Sequence, residues 1–469
     1  MSLKISSGDV IHFIGIGGIG MSGIAEIMQK IGFKVQGSDQ TKDNKNIFRL
    51  KKLGIKIFFN HKSSNIFKSK LVVFSSAIKK NNSELLEAKN LGIPIVPRVE
   101  MLAEIVKLKK NIVISGAHGK TTITSLISSI LSKAKFDPMI VNGGIINSIN
   151  TNAKLGKGEW AVVEADESDG SFLKIPITYS IVSNIDKEHL DFYKSFKNIS
   201  KNFADFINKT PLIGKSFLCM DDKNIRDIIP FIKNKNFITY GFHPNSKIRC
   251  FQKKTKSQYN IFDVILNINE KKIYLRNIEL NLLGRHNIQN ATVAVAVAVS
   301  LGISKNIIKN SLKKFRGVQR RLTMLTKFKN SIIYDDYAHH PTEIKAVLDA
   351  LKSKYENKKI ITVFQPHRYS RVKSLLKEFS LCFKKSDLVV LCPIYAASEK
   401  SIKNINQSNL ANIISSQSSV HVIKIMNIHD LENFILKTAH QDQVIVCMGA
   451  GSISSWIREI VKRTTKLYN

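Results

Sequence analysis

Residues Asn111–Ala134 read NIVISGAHGKTTITSLISSILSKA. A short run rich in Ile and Val leads into a turn with two glycines, and a stretch of helical periodicity follows. Gly116, Ala117, His118, Gly119, Lys120, Thr121 and Thr122 keep the working parts of a phosphate-binding loop. These are backbone N–H groups that wrap an anion, a lysine that reaches the outer phosphate oxygens, and a threonine hydroxyl for Mg²⁺. Ile114 stands where the usual signature has its first glycine, leaving GxxGKT. A GKTT string alone is weak evidence; set between a strand and a helix, it points to a nucleoside triphosphate.

Such a loop needs a cation shell. The run AVVEADESD places Glu164 and Asp166 at the end of an apolar strand, where carboxylates emerge beside the loops of a parallel sheet. The next apolar run, SIVSNIDKEHLDFY, delivers Asn184, Asp186 and His189. Hard oxygens with one imidazole suit a divalent cation held against a triphosphate. Asp166, Asp169 and Asp191 read equally well as caps or salt-bridge residues.

Upstream, Val10–Glu26 reads VIHFIGIGGIGMSGIAE. Gly15, Gly17 and Gly20 fit GxGxxG between a strand and a helix, and Asp39 follows at the end of VQGSD. Glycines let backbone approach a pyrophosphate at a helix N-terminus, and the acid can accept a ribose hydroxyl. This chemistry reads a diphosphate with a ribose, common to NAD, FAD and UDP-sugars.

Around these two loops, strand-like runs alternate with amphipathic stretches, which predicts an α/β fold of mainly parallel sheets. With 469 residues the chain exceeds one core. Breaks in the pattern predict three domains: 1–108, Rossmann-like; 109–317, a central P-loop ATPase-type domain whose polar stretch Pro244–Lys272 holds antiparallel strands; and 318–469, again Rossmann-like. The opening MSLKISSGDV lacks the apolar core of a secretory signal, and the most apolar run, Ala291–Val299, is too short to span a bilayer. Five cysteines without a CxxC pair suggest reduced thiols. A cytoplasmic chain with no membrane partner is expected.

The net charge of +36 invites a nucleic-acid reading. Lysines are scattered singly or in pairs, without a basic block or interleaved aromatics, so no nucleic-acid partner is expected.

The order of GIGGIGMSG, SGAHGKTT, EADESD, NIDKEHLD, GRHNIQNA, DDYAHHPTE and FQPHRYSR resembles that of the Mur ligases, from Gly15 to the C-terminal MGAGSI. The likeness is greatest to the family member that adds L-alanine to UDP-N-acetylmuramate. It implies an ATP-dependent amide-forming ligase with Mg²⁺, acting in peptidoglycan synthesis as a monomer or a dimer. By this resemblance the UDP-sugar lies against Gly15, Gly17, Gly18, Gly20, Ser38, Asp39, Ser75 and Ser76. ATP takes Gly116 to Thr122, His286, Asn287, Asn290, Arg321 and Asp336. Thr121, Glu164 and His189 are implied as metal ligands, and Lys120, Glu164, His189 and His340 as catalytic groups. Tyr337, His339, Arg368 and Arg371 stand near the acceptor amino acid. No lysine is assigned to carbamylation.

Each motif also has a plainer reading. The arginines of FQPHRYSR can be a solvated helix start. His339-His340-Pro341 can simply open a helix, and Asn287 and Asn290 can cap the one that follows GRHNIQNA. Rival functions are a Rossmann dehydrogenase, which leaves GKTT without a task, and a P-loop regulatory module, which leaves the third domain idle. A nearer rival is the related ligase that reattaches recycled peptide to UDP-N-acetylmuramate.

Overall fold

The strand Val10–Ile14 is buried at its last four positions because strands cover both of its edges. It centres a five-stranded sheet in the order Lys56–Phe58, Lys34–Ser38, Val10–Ile14, Ser69–Phe74, Ile95–Pro97, with every pair parallel. Parallel strands covered by helices on both faces read as unbroken apolar runs, as VIHFI and KLVVF do. The computed structural model describes residues 5–6, 8–42, 44–75, 77–256, 259–268, 270–439 and 442–468.

A second sheet runs Thr151–Lys154, Met139–Ile146, Trp160–Glu164, Lys110–Ser115, Tyr179–Val182, Lys215–Cys219 and Phe237–Gly241, then through the long strands Ile248–Lys256, Tyr259–Ile268 and Lys271–Leu280. The third runs Thr323–Phe328, Ser331–Asp336, Gln443–Met448, Lys359–Phe364, Leu388–Leu391, Val422–Lys424. The expected α/β architecture with mainly parallel sheets is present. Antiparallel pairs that depart from the parallel pattern include Met139–Ile146 with Thr151–Lys154, and Thr323–Phe328 with Ser331–Asp336. The latter turn, Lys329-Asn330, lacks the glycine that marks a hairpin in sequence, and Lys329 takes φ 51° itself.

The chain forms two compact units. One comprises Met1–Phe251, Asp263–Ile278 and Gln289–Arg316; the other Gln252–Phe262, Glu279–Ile288 and Gly317–Asn469. Within the first, the helix Ile19–Ile31 rests on the strand Thr151–Lys154. A Cβ at Gly23 would stand 2.9 Å from both Ala153 Cβ and Asn152 Nδ2, so only glycine permits this approach. Buried Asn152 donates to the Ile19 carbonyl (2.5 Å) and accepts from Arg49 (2.7 Å), which also pairs with Glu26 (3.1 Å). The helix Lys120–Lys133 is sunk in the same unit, with Ile123, Leu126, Ile127, Ile130 and Leu131 fully buried. Truncating any one of these to Ala costs about 2–5 kcal/mol.

In the second unit, one face of the third sheet packs against a core that includes Leu348, Phe364, Phe379 and Phe383, the other against Ile435, Ile453 and Ile457. All five cysteines are buried, and none is in a disulfide among the described residues. Among the described residues no helix is long and apolar enough to cross a membrane.

Candidate active site

The strand Lys110–Ser115 lies between Trp160–Glu164 and Tyr179–Val182, so the loop at its end meets the ends of both neighbours. Gly116 adopts φ 135°, and a Cβ there would collide with Ser183 Oγ; Gly119 adopts φ 85° immediately before the helix. The neighbouring strand end laces the loop in place. Asn184 accepts from the backbone N–H groups of Ala117 (through its carbonyl, 3.1 Å) and His118 (through Oδ1, 2.8 Å), while Ser183 Oγ donates to the His118 carbonyl (2.6 Å). His118 Nε2 stands 3.0 Å from Asp186 Oδ2.

Lys120 Nζ donates to the carbonyls of Gly116 (2.6 Å) and Ala117 (3.2 Å) and pairs with Glu167 at 2.9 Å. Burial opposes its charge, but the carboxylates of Glu167, Asp166 and Glu164 outweigh burial and hold the amine above its ordinary value. Burial pushes Glu167 up to about 7, against the pull of Lys120 and with the push of Asp166 and Glu188. Thr121 Oγ1 donates to Glu164 Oε1 (3.1 Å), whose other oxygen accepts from Gly143 N–H (2.6 Å). His189, at φ 56°, lies 3.8 Å from Glu167 and 3.6 Å from Glu188. Ligand atoms of Glu167, Glu188 and His189 fall within 4.8 Å of one another. Of the three expected metal ligands, Thr121 and Glu164 thus touch, and His189 joins Glu167 and Glu188 instead. Asn290 abuts the loop, its Oδ1 2.9 Å from where a Gly119 Cβ would be.

The first glycine loop is organised by an acid. Asp39 Oδ2 accepts from Gly17 N–H (2.8 Å) and Oδ1 from Thr41 N–H (2.9 Å). A Cβ at Gly17 would sit 2.9 Å from that carboxylate and from Ile47 Cδ1; one at Gly20 would sit 2.7 Å from an Arg98 guanidinium nitrogen. Gly15 turns the chain at φ 77°, and its N–H and that of Ile16 donate to the Ser38 carbonyl. Gly18 precedes the helix, and Ser75 Oγ is 3.9 Å from the Cβ position of Gly15. Ser38 is fully buried, its hydroxyl donating to Glu84 (2.6 Å) beside His61 (2.9 Å). Ser76 lies outside the described residues.

The second unit gathers cations and rings. Arg320 and Arg321 lie over the Tyr337 ring, 4.5 and 5.4 Å from its centroid, and Arg321 reaches Glu343 at 3.7 Å. His339 packs edge-on to Tyr337 and approaches Glu343 at 3.4 Å. His367 stacks on Tyr395 (5.4 Å, 12°) and contacts Arg371 at 3.3 Å. Burial, then His339, Arg371, Arg368 and Arg320, push the His367 imidazole down to about 3. Burial, then Arg321, pushes His286 down to about 4. Two residues assigned above, Asp336 to ATP and His340 to catalysis, are bonded within the fold here. Asp336 accepts from the N–H groups of Leu322 (2.5 Å) and Ala338 (2.6 Å), and burial pushes it up to about 6. His340 caps the helix Pro341–Lys354 through Nδ1. Asn287 lies inside the helix Arg285–Ser300 and donates to the Leu283 carbonyl (2.7 Å), which is not the bond an N-cap makes. Glu167, Glu343 and His367 carried no signal of their own in sequence, although all three lie inside the motifs EADESD, DDYAHHPTE and FQPHRYSR.

Family models match along the chain: the Mur ligase family catalytic domain at residues 10–110, the Mur ligase middle domain at 114–298, and the Mur ligase glutamate ligase domain at 320–451. The chain is 52% identical over 461 residues to a UDP-N-acetylmuramate–L-alanine ligase of Pelagibacter ubique, covering 98% of this chain and 99% of that one. It is 42% identical to the protein of that name from Bartonella bacilliformis, covering 100% and 98%. Among solved structures, UDP-N-acetylmuramate-alanine ligase MurC of Thermotoga maritima superposes with TM-score 0.81 at 27% identity, covering 97% and 99%. A murein peptide ligase of Psychrobacter arcticus shares the fold, with TM-score 0.72 at 20% identity and coverage of 97% and 99%.

Proposed function

The chain belongs to the Mur ligase family, and from that premise we infer that it joins L-alanine to UDP-N-acetylmuramate using ATP, a C–N bond-forming step of peptidoglycan synthesis. The observation that carries this reading is the loop Gly116–Thr122, with its lysine and surrounding carboxylates, in a chain alignable end to end with relatives of that name.

In this reading residues 1–108 take the UDP moiety, 109–317 ATP and 318–469 the amino acid. The lactyl carboxylate attacks the γ-phosphate to give an acyl phosphate and ADP; the alanine amine then displaces phosphate and forms the amide. The first step is phosphoryl transfer, so positioning and charge neutralisation dominate. Lys120 exchanges Glu167 for the γ-phosphate, while the loop N–H groups and the helix start hold the β-phosphate. The guanidinium forks of Arg368 and Arg371 suit the alanine carboxylate. Neutral His367 beside them leaves the pocket's positive charge on arginine.

The donors around Lys120 fit Mg²⁺: hard oxygens of Thr121 and Glu164 in contact, and Glu167, Glu188 and one imidazole, His189, clustered separately. Bound there, the ion would neutralise phosphoryl charge. ATP as substrate and buried cysteines that form no disulfide support a cytoplasmic location.

The test is phosphate release from ATP in the presence of UDP-N-acetylmuramate, with L-alanine, glycine, L-serine and the tripeptide offered in turn. Release dependent on L-alanine is expected. Release that requires the tripeptide and ignores L-alanine overturns the assignment.

A further inference from the structure

Two short loops of the second unit are bonded to each other in conformations that neither would adopt alone. The first, Pro366–Arg371, carries the two arginines assigned to the acceptor. Arg368 begins the helix Tyr369–Ser374 at φ 69°, ψ 131°, outside the regions that L residues ordinarily populate. The second, Tyr395–Glu399, turns through Ala397 at φ 49° and Ser398 at φ 68°, closed by a bond from Glu399 N–H to the Ala396 carbonyl (3.0 Å). Three consecutive residues bear on this strain: a β-branch-free Ala and Ser where glycine would be relaxed, then an acid that faces back. Strain of this kind persists only where surrounding contacts fix it, and it gathers at functional sites.

The contacts that fix it run between the loops. Arg368 N–H donates to the Tyr395 carbonyl (2.8 Å), and Tyr395 N–H donates to the Pro366 carbonyl (2.8 Å). The Tyr395 ring stacks on His367 and is backed by Gly451, where a Cβ would stand 2.7 Å from Tyr395 Cγ. Glu399 then grips the helix that bears Arg371: Oε2 accepts from Ser370 N–H (3.0 Å) and Oε1 from Ser370 Oγ (2.6 Å). Its carboxylate thus holds Ser370, the residue between Tyr369 and Arg371.

We propose that Glu399, through Ser370, is a positioning residue for the acceptor amino acid: it sets the helix start from which Arg368 and Arg371 address the carboxylate of L-alanine. The proposal rests on the reading of those arginines given above. A carboxylate that fixes the backbone and hydroxyl of Ser370 sets the start of the helix from which both guanidinium forks extend. The partnership accounts for the tolerated φ values on both loops, because releasing either loop removes the bonds that hold the other.

The experiment measures phosphate release by the full-length enzyme with one substrate varied and the other two saturating. Glu399→Ala is expected to raise KM for L-alanine about tenfold while KM for ATP and UDP-N-acetylmuramate stay within about twofold. Glu399→Gln is expected to stay within about twofold of wild type, since its amide oxygen still accepts from Ser370 N–H and its NH₂ can donate to Ser370 Oγ. Equal losses for all three substrates, a fall in kcat alone, or a Gln variant as impaired as the Ala variant would overturn the proposal. Arg368→Ala and Arg371→Ala separate the two layers of the argument. If either raises KM for L-alanine and Glu399→Ala does not, the positioning role alone fails. If neither does, the acceptor assignment fails and takes the proposal with it.

Discussion

The loop centre around Lys120 and the ring-and-arginine centre around His367 are opposite solutions to holding charge inside a protein. The first surrounds one lysine with Glu164, Asp166 and Glu167, so acid is in excess and the cation is firmly charged. The second sets Arg320, Arg321, Arg368 and Arg371 around aromatic rings, with Glu343 as the carboxylate in contact with Arg321, and keeps His367 neutral. An excess of buried carboxylate calls for cations brought with the ligand, as a metal-bearing triphosphate supplies. A cluster of guanidinium groups suits a ligand that is itself anionic, as an amino-acid carboxylate is. The bulk charge of +36 foretells neither arrangement.

The hardest test of this contrast is Lys120→Ala. It leaves Glu167 buried without its partner and removes the group that meets the transferring phosphoryl, so kcat should fall about 10³-fold. Affinity for UDP-N-acetylmuramate, measured by calorimetry, should stay within about twofold; loss of sugar binding by a folded variant breaks the division of labour. Next comes Glu164→Gln, which keeps the bond from Thr121 and removes one anionic oxygen. The Mg²⁺ concentration for half-maximal turnover should rise about tenfold, with KM for L-alanine unchanged. A change in both would mean that the acidic centre does more than serve the nucleotide. A smaller effect belongs to the first glycine loop: Gly17→Ala presses a methyl against Asp39 and Ile47 at 2.9 Å. KM for UDP-N-acetylmuramate should rise several-fold to about tenfold while KM for ATP holds.

How much of this could be read beforehand differs between the centres. Gly116, Gly119, Lys120 and Thr121 are local: one strand, one turn and one helix start put them together, so spacing reveals them. Glu167 sits three residues beyond Glu164, and what makes it the partner of Lys120 is the meeting of two strand ends, which no spacing rule encodes. Asp39 was legible as an acid that follows GxGxxG; its bonds to Gly17 and Thr41 were not. In the second unit almost nothing is local. His367 owes its neutrality first to burial, then to His339 and three arginines, and its stacking to Tyr395 on a separate loop. The antiparallel strand Thr323–Phe328 went unread because its turn uses Lys329 where glycine would have announced it.

The smallest effect, and the one that separates the centres by sign, is the pH dependence of stability. Glu167 titrates higher folded, near 7, than unfolded, near 4.5. Between those values the folded chain holds the extra proton, so this residue's contribution to stability falls as pH rises through the window. His367 titrates lower folded, near 3, than unfolded, near 6.5. There the unfolded chain holds the extra proton, so its contribution is present above pH 6.5 and is lost as pH falls toward 3. Thermal unfolding of Glu167→Gln and His367→Gln, followed from pH 5 to 8 against wild type, should therefore diverge. The first variant gains relative to wild type as pH rises, and the second gains as pH falls below 6.5, each by a few degrees at most. Burial is the first cause of both shifts, so parallel shifts in the same direction would mean that the fold does not hold these two groups toward their uncharged forms.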